Sequence, residues 1–198
     1  MASQLDIYNN ALITMGEKEL SSLAEDVYQA DVLDAIWDMC RQALLRRHVW
    51  NFAKRRAELT INVGTPVSEF DYSHALPDSF LRAVAVSNSE SMRIGIPYKI
   101  EDDDVLSNSD TLYMTYVIDV TDTTAFDALF ADALAKRLAV DTALRITGSA
   151  TKKEICKDEY RQALLAARSV DALEDYPDQL YQGSWIDERH QDYALWVN

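Results

Sequence analysis

Proline and glycine are scarce, four and five among 198 residues, and only two cysteines are present. So little Pro and Gly excludes collagen-like and low-complexity chains, where the two together exceed about a quarter of the residues. Two cysteines cannot build the disulfide lattice of a small secreted domain. Cys40 and Cys156 also lack a second Cys or a His cluster to complete a zinc site, and both fall in helical patterns, so they are read as buried free thiols. Basic residues are few as well, 19 against 33 acidic ones, for a net charge of −14. A surface that grips nucleic acid does so with Lys and Arg that displace counterions from phosphate, so DNA is not expected to adhere to this protein. No apolar run approaches the roughly 20 residues a bilayer demands, and no membrane contact is expected. The opening MASQLDIYNN lacks the basic and apolar stretches of a signal peptide, which implies assembly in the cytoplasm. What remains is a chain with 48% apolar and 26% charged residues, enough to bury a sizeable core in one domain with one insertion.

Periodicity divides that chain. Leu5, Tyr8, Leu12 and Met15 recur at three- and four-residue steps and stop at Gly16, which predicts a helix over 4–15 closed by a left-handed residue. After Ser21-Ser22 a longer helical pattern takes in Val27, Ala30, Leu33, Ile36, Trp37, Cys40 and Leu44. Beyond Trp50 the period falls to two, Ala57, Leu59 and Ile61 alternating with polar residues up to the turn at Gly64-Thr65-Pro66. Further strands are predicted at Phe80 to Val86, Pro97 to Glu101 and Thr111 to Ile118, four in all, in one small antiparallel sheet. Thr123 or Thr124 is expected to cap a helix bearing Phe126, Leu129, Phe130, Ala133, Leu134, Leu138 and Leu144 and ended by Gly148. A last helix, about 151–173, carries Ile155, Tyr160, Ala163, Leu164, Ala167 and Val170 on one side, and Pro177 stops it. The expected class is α+β, mainly α. A discontinuous helical bundle over 1–56 and 119–176 holds a β module at 57–118, and a C-terminal arm covers 177–198.

Three features invite a chemical reading. Arg41, Arg46, Arg47, Lys54, Arg55 and Arg56 surround His48, Trp50 and Phe52, the form of a phosphate-binding face; the same residues also suit a helix C-terminus paired with surplus carboxylates. Asp102-Asp103-Asp104 with Asn108 and Asp110 loosely resembles a cation loop, but the twelve-residue calcium spacing is missing, and a solvated acidic turn is the plainer reading. No nucleophile elbow, P-loop, dinucleotide fingerprint or zinc-protease helix is present, and His48, His74 and His190 are scattered, so no enzyme, cofactor or metal is expected. The interaction residues expected are Arg46, Arg47 and Trp50, together with Tyr181, Trp185, Tyr193 and Trp196, aromatics in a segment too short of period to form a core alone. Those last four either pack back on the bundle or dock on a neighbour. Trp50 and Phe52, at the change of period, also serve as anchors between bundle and β module.

Several motifs in order resemble a known family. They are Ala11-Leu12, Met15-Gly16, Ser22-Leu23, Ala30, Leu44-Leu45, His48, Trp50-Asn51-Phe52-Ala53 and Arg55-Arg56-Ala57. Leu76-Pro77-Asp78 and Leu81-Arg82 come next, then Asp122, Phe126-Asp127, Phe130, Ala133-Leu134, Leu138-Ala139 and Thr147-Gly148-Ser149, and beyond them Tyr160, Ala167-Arg168 and Trp185-Ile186-Asp187. Together they resemble the tail tubular protein A family, the head-to-tail adaptors of short-tailed bacteriophages. Val49 stands where the family commonly has Pro, and Glu188-Arg189-His190 is more polar than the usual ending. The resemblance implies a virion protein of the head-tail junction, a structural connector in a homo-oligomeric ring of about twelve copies. Its partners would be the portal protein and a tail nozzle similar to tail tubular protein B, with duplex DNA passing through the lumen. A nucleic-acid-binding factor using Arg41 to Arg56 and a small hydrolase of cell-envelope polymer are the alternatives; salt-dependent DNA retention would mark the first and turnover the second.

Overall fold

The computed structural model describes residues 2–64, 66, 68–92 and 94–174. Among them the elements run α1 (Gln4–Met15), α2 (Tyr28–Arg47), β1 (Lys54–Leu59), β2 (Tyr72–Ala75), β3 (Phe80–Ser87), β4 (Tyr98–Glu101), β5 (Asp104–Ser107), β6 (Leu112–Ile118), α3 (Ala128–Thr147) and α4 (Ala150–Glu174). The protein is α+β and mainly α, with helices at both ends of the described chain and strands between them.

Helices α1 and α3 have a local cause at each end. Ser3 caps α1: its hydroxyl accepts from the Asp6 amide while the Asp6 carboxylate accepts from the Ser3 amide, a reciprocal capping box. Gly16, at φ 71°, turns the chain left-handed so that amides beyond the helix satisfy the carbonyls of Leu12 and Ile13. Gly148, at φ 65°, does the same for α3 through the Leu144 carbonyl. The expected Thr cap of α3 is corrected. Asp122 caps a short 3-10 turn at Thr123–Ala125, and Asp127, accepting from the amides of Leu129 and Phe130, caps the helix itself. A carboxylate placed at the first turn also answers the helix dipole, which a Thr hydroxyl does less well.

Helix α3 is central, with α1, α2 and α4 packed around it. Its buried Ala131, Ala133, Ala135, Ala139 and Ala143 let the neighbours approach closely, and Leu134, Leu138 and Phe130 fill the space between. On α4 the buried face is made of Cys156, Tyr160, Ala163, Leu164, Ala167 and Asp171. Ile155 and Val170, expected on the same inner side, are therefore exposed, and so is Leu144 of α3.

The single four-stranded sheet is also corrected. Among the described residues six strands form two antiparallel sheets, ordered β1-β6-β3 and β2-β5-β4. Beyond β1 the chain bridges from Ile61 to His74 of β2, stitching one sheet to the other. Along β6 the side chains alternate. Leu112, Met114 and Tyr116 join Leu59, Val86 and Val105 in a β core, while Val117 joins the core of the bundle.

Candidate interaction surfaces

The motif that starts at His48 builds an internal corner. Helix α2 ends there in extended backbone, after Arg46 and Arg47 in its last turn. Trp50 is fully buried, and its indole N–H donates to the Leu44 carbonyl at 3.0 Å, satisfying an acceptor the helix end leaves open. The ring meets Phe130 edge-on at 5.1 Å and His48 at 4.8 Å, and Phe52 packs against both Phe126 and Phe130. Asp171 on α4 closes the corner. Its carboxylate is 2.9 Å from His48 Nε2 and accepts the Asn51 amide at 2.9 Å, while the Asn51 side chain donates to the Asp171 carbonyl at 2.8 Å. Trp50 thus belongs to the core. A fully buried indole with its N–H already used cannot meet a partner, so its place among the interaction residues is corrected; the ring packs within the core of the bundle.

The basic stretch does not form one face. Arg41 lies inside, its guanidinium paired with Asp119 and Asp38 and donating to the Val120 carbonyl at 2.9 Å. Arg46 and Arg47 are exposed at the end of α2, and Arg47 donates to the Tyr160 hydroxyl at 3.2 Å. Lys54, Arg55 and Arg56 leave on β1, where Arg55 donates to the carbonyls of Phe52 and Lys54. Six cations near one another in sequence therefore go to the core, a helix end and a sheet edge. Tyr181, Trp185, Tyr193, Trp196 and His190 lie outside the described residues.

The acidic stretch is a turn followed by a strand. Asp102, at φ 51°, and Asp103 make the β4–β5 connection, and Asp104 begins β5, accepting from Asn62 at 2.8 Å and Ser73 at 2.7 Å. Among the described residues no group of three or more His, Cys, Asp or Glu is arranged to hold a metal. Cys40 and Cys156 are buried and unpaired. Burial, reinforced by Asp141 at 3.4 Å, pushes the Cys40 thiol up to about 12, which keeps it protonated and unreactive. An open depression of about 390 Å³ lies beside β1, lined by Arg56, Glu58, Glu90, Met92 and Tyr113.

Each sheet has two edge strands, β1 and β3 in one and β2 and β4 in the other, and the chain beyond β1 bonds along β2. β1 has β6 on one side and β4 has β5, and among the described residues no strand flanks either on the other side. All four residues of β4 are exposed, Tyr98 and Ile100 included. Sequence reasoning placed the strand but not its position at an edge, since strand order is set by pairings distant in sequence. No protein-family model and no curated protein matches the chain.

Proposed function

We propose that this chain is a structural head-to-tail adaptor subunit of a short-tailed bacteriophage, working in a ring between the portal and the tail nozzle. The observation that carries the reading is the run of family-like motifs in order from Ala11 to Asp187. Among the described residues those motifs coincide with the parts that hold the subunit together. Gly16 and Gly148 end helices, Trp50 to Ala53 and Asp127 to Phe130 make the corner, and Ala133-Leu134 and Leu138-Ala139 line the central helix.

Charge supports the same reading. A net charge of −14 lets a duplex slide past without sticking. A ring needs two different contact patches on every subunit, because each copy meets its neighbours head to tail. Exposed Arg46 and Arg47 and the aromatics Tyr181, Trp185, Tyr193 and Trp196 are the side chains proposed to meet the ring's partners.

The test compares the full chain with a truncation ending at Pro177. Native-like circular dichroism with lost co-sedimentation on a short-tailed-phage portal supports an adaptor with a docking arm. A folded truncation that still binds moves the contact to the body, and a full chain that never binds portal overturns the reading.

A further inference from the structure

Two of the edge strands, β1 and β4, are unlike in a way that makes them complementary. On β1, Ala57 and Leu59 turn toward the β core, and Arg56 and Glu58 project from the opposite face, exposed. On β4, Ile100 lies in the row of the fully buried Val105, its partner across the ladder, while Lys99 and Glu101 project from the opposite face. Tyr98 and Ile100 end that inner row with 39% and 37% of their surface exposed, as the last apolar residues of a sheet do when no strand covers them.

We infer that the outer edge of β4 in one copy pairs antiparallel with the outer edge of β1 in the next copy, joining the β modules into a continuous girdle. One register satisfies every side chain involved. Glu101 falls opposite Arg56, Ile100 opposite Ala57, and Lys99 opposite Glu58, so both charge pairs are of opposite sign and lie on one face, with the apolar pair on the core side. A shift by one residue would put Glu101 opposite Ala57 and place charge on the core side. Pairing of β4 with itself lacks Arg56 and Glu58 altogether. The contact is heterologous, edge one against edge two, and this propagates around a ring where a two-fold contact stops at a dimer. The inference deepens the adaptor reading and rests on it for the closed ring, though not for the contact itself.

A charge swap tests it. Wild-type protein, R56E, E101R and an equimolar mixture of the two variants are compared by sedimentation velocity over a wide concentration range, with circular dichroism verifying the fold of these surface variants. Wild type should sediment faster as concentration rises, and each variant alone should lose that rise. The mixture should regain it, because R56E then offers its altered β1 to the altered β4 of E101R, while the two native edges match one another. In parallel, oxidation of E58C mixed with K99C should trap mixed disulfide dimers in preference to either homodimer. Wild type that stays monomeric at every concentration, variants that associate as wild type does, a mixture that stays apart, or preferential K99C homodimers would each overturn the edge pairing. Normal portal binding by R56E and E101R would discard the edge contact and leave the adaptor reading intact. Restored pairing without portal binding would do the reverse.

Discussion

In the helical bundle one apolar core runs through all four helices and gathers Trp50, Phe126 and Phe130 at its corner; in the β module the core rests on Leu59, Val86, Val105, Leu112, Met114 and Tyr116. In the bundle both ends of α1 and α3 are capped, and a buried ion pair forms at Arg41. The β module has the smaller core, and its edge strands include β1 and β4, which no strand flanks on the outer side among the described residues. Local stability follows local burial, so the bundle acts as the frame and the β module as the part expected to loosen first. An aromatic corner clamped through Asp171 ties the start of the β module to the last helix, which places the exposed edges at a fixed position on the frame.

The comparison breaks most severely at the corner. Trp50→Ala should cost about 3 to 5 kcal/mol, since it removes a fully buried indole, its bond to the Leu44 carbonyl and three ring contacts. Thermal melting should show the bundle and the β module losing stability together. If the variant melts within a degree or so of the parent, the corner does not unite the two cores.

Next comes Arg41→Ala, which leaves the Val120 carbonyl without its donor and Asp119 with Gln42 as its remaining partner. Breaking a pair with one partner this deeply buried should cost about 3 kcal/mol in urea unfolding. A loss under about 0.5 kcal/mol would mean that Asp119 finds water easily and the pair adds little.

The third variant reaches only the β module. Val105→Ala removes two buried methyl groups and should cost about 2 kcal/mol. Amide exchange should accelerate in β4 and β5 and stay unchanged in α3. Equal acceleration in α3 would show one cooperative unit where the burial implies two of unequal strength.

How much of this was legible beforehand varies with the range of the interaction that decides it. The bounds of α1 and the stops at Gly16 and Gly148 could be read because their causes are local. Strands β3 and β6 carry strong alternation or apolar runs, and they too were plain. Tyr72–Ala75 and Asp104–Ser107 were missed, because each is four residues long in a polar stretch and is held by its partner strand more than by its own propensity. The mixture of destinations in the basic stretch was hidden for the same reason. Arg41 pairs with Asp119, 78 positions away, and His48 meets Asp171 across 123. No periodicity records such distances. Strand order, and with it the identity of the edges, depends on the same long-range pairings.

The smallest expected effect concerns the thiols. Cys40 in the folded protein should resist a thiol reagent at mildly alkaline pH and react once the chain is denatured. Because its folded pKa lies above the ordinary thiol value of 9.0, the associated stability is present below that pH and declines as the pH rises toward about 12. Fast labelling of the native protein would show that the bundle opens as readily as the β module.

The central claim is that a subunit with a helical frame and open β edges forms a ring on a portal. Negative-stain imaging of the purified full chain, mixed with the portal of a short-tailed phage, tests it most directly. The account predicts closed rings of about twelve copies stacked coaxially on the portal. Portal particles that remain bare at saturating protein, with the added chain dispersed around them, would contradict it.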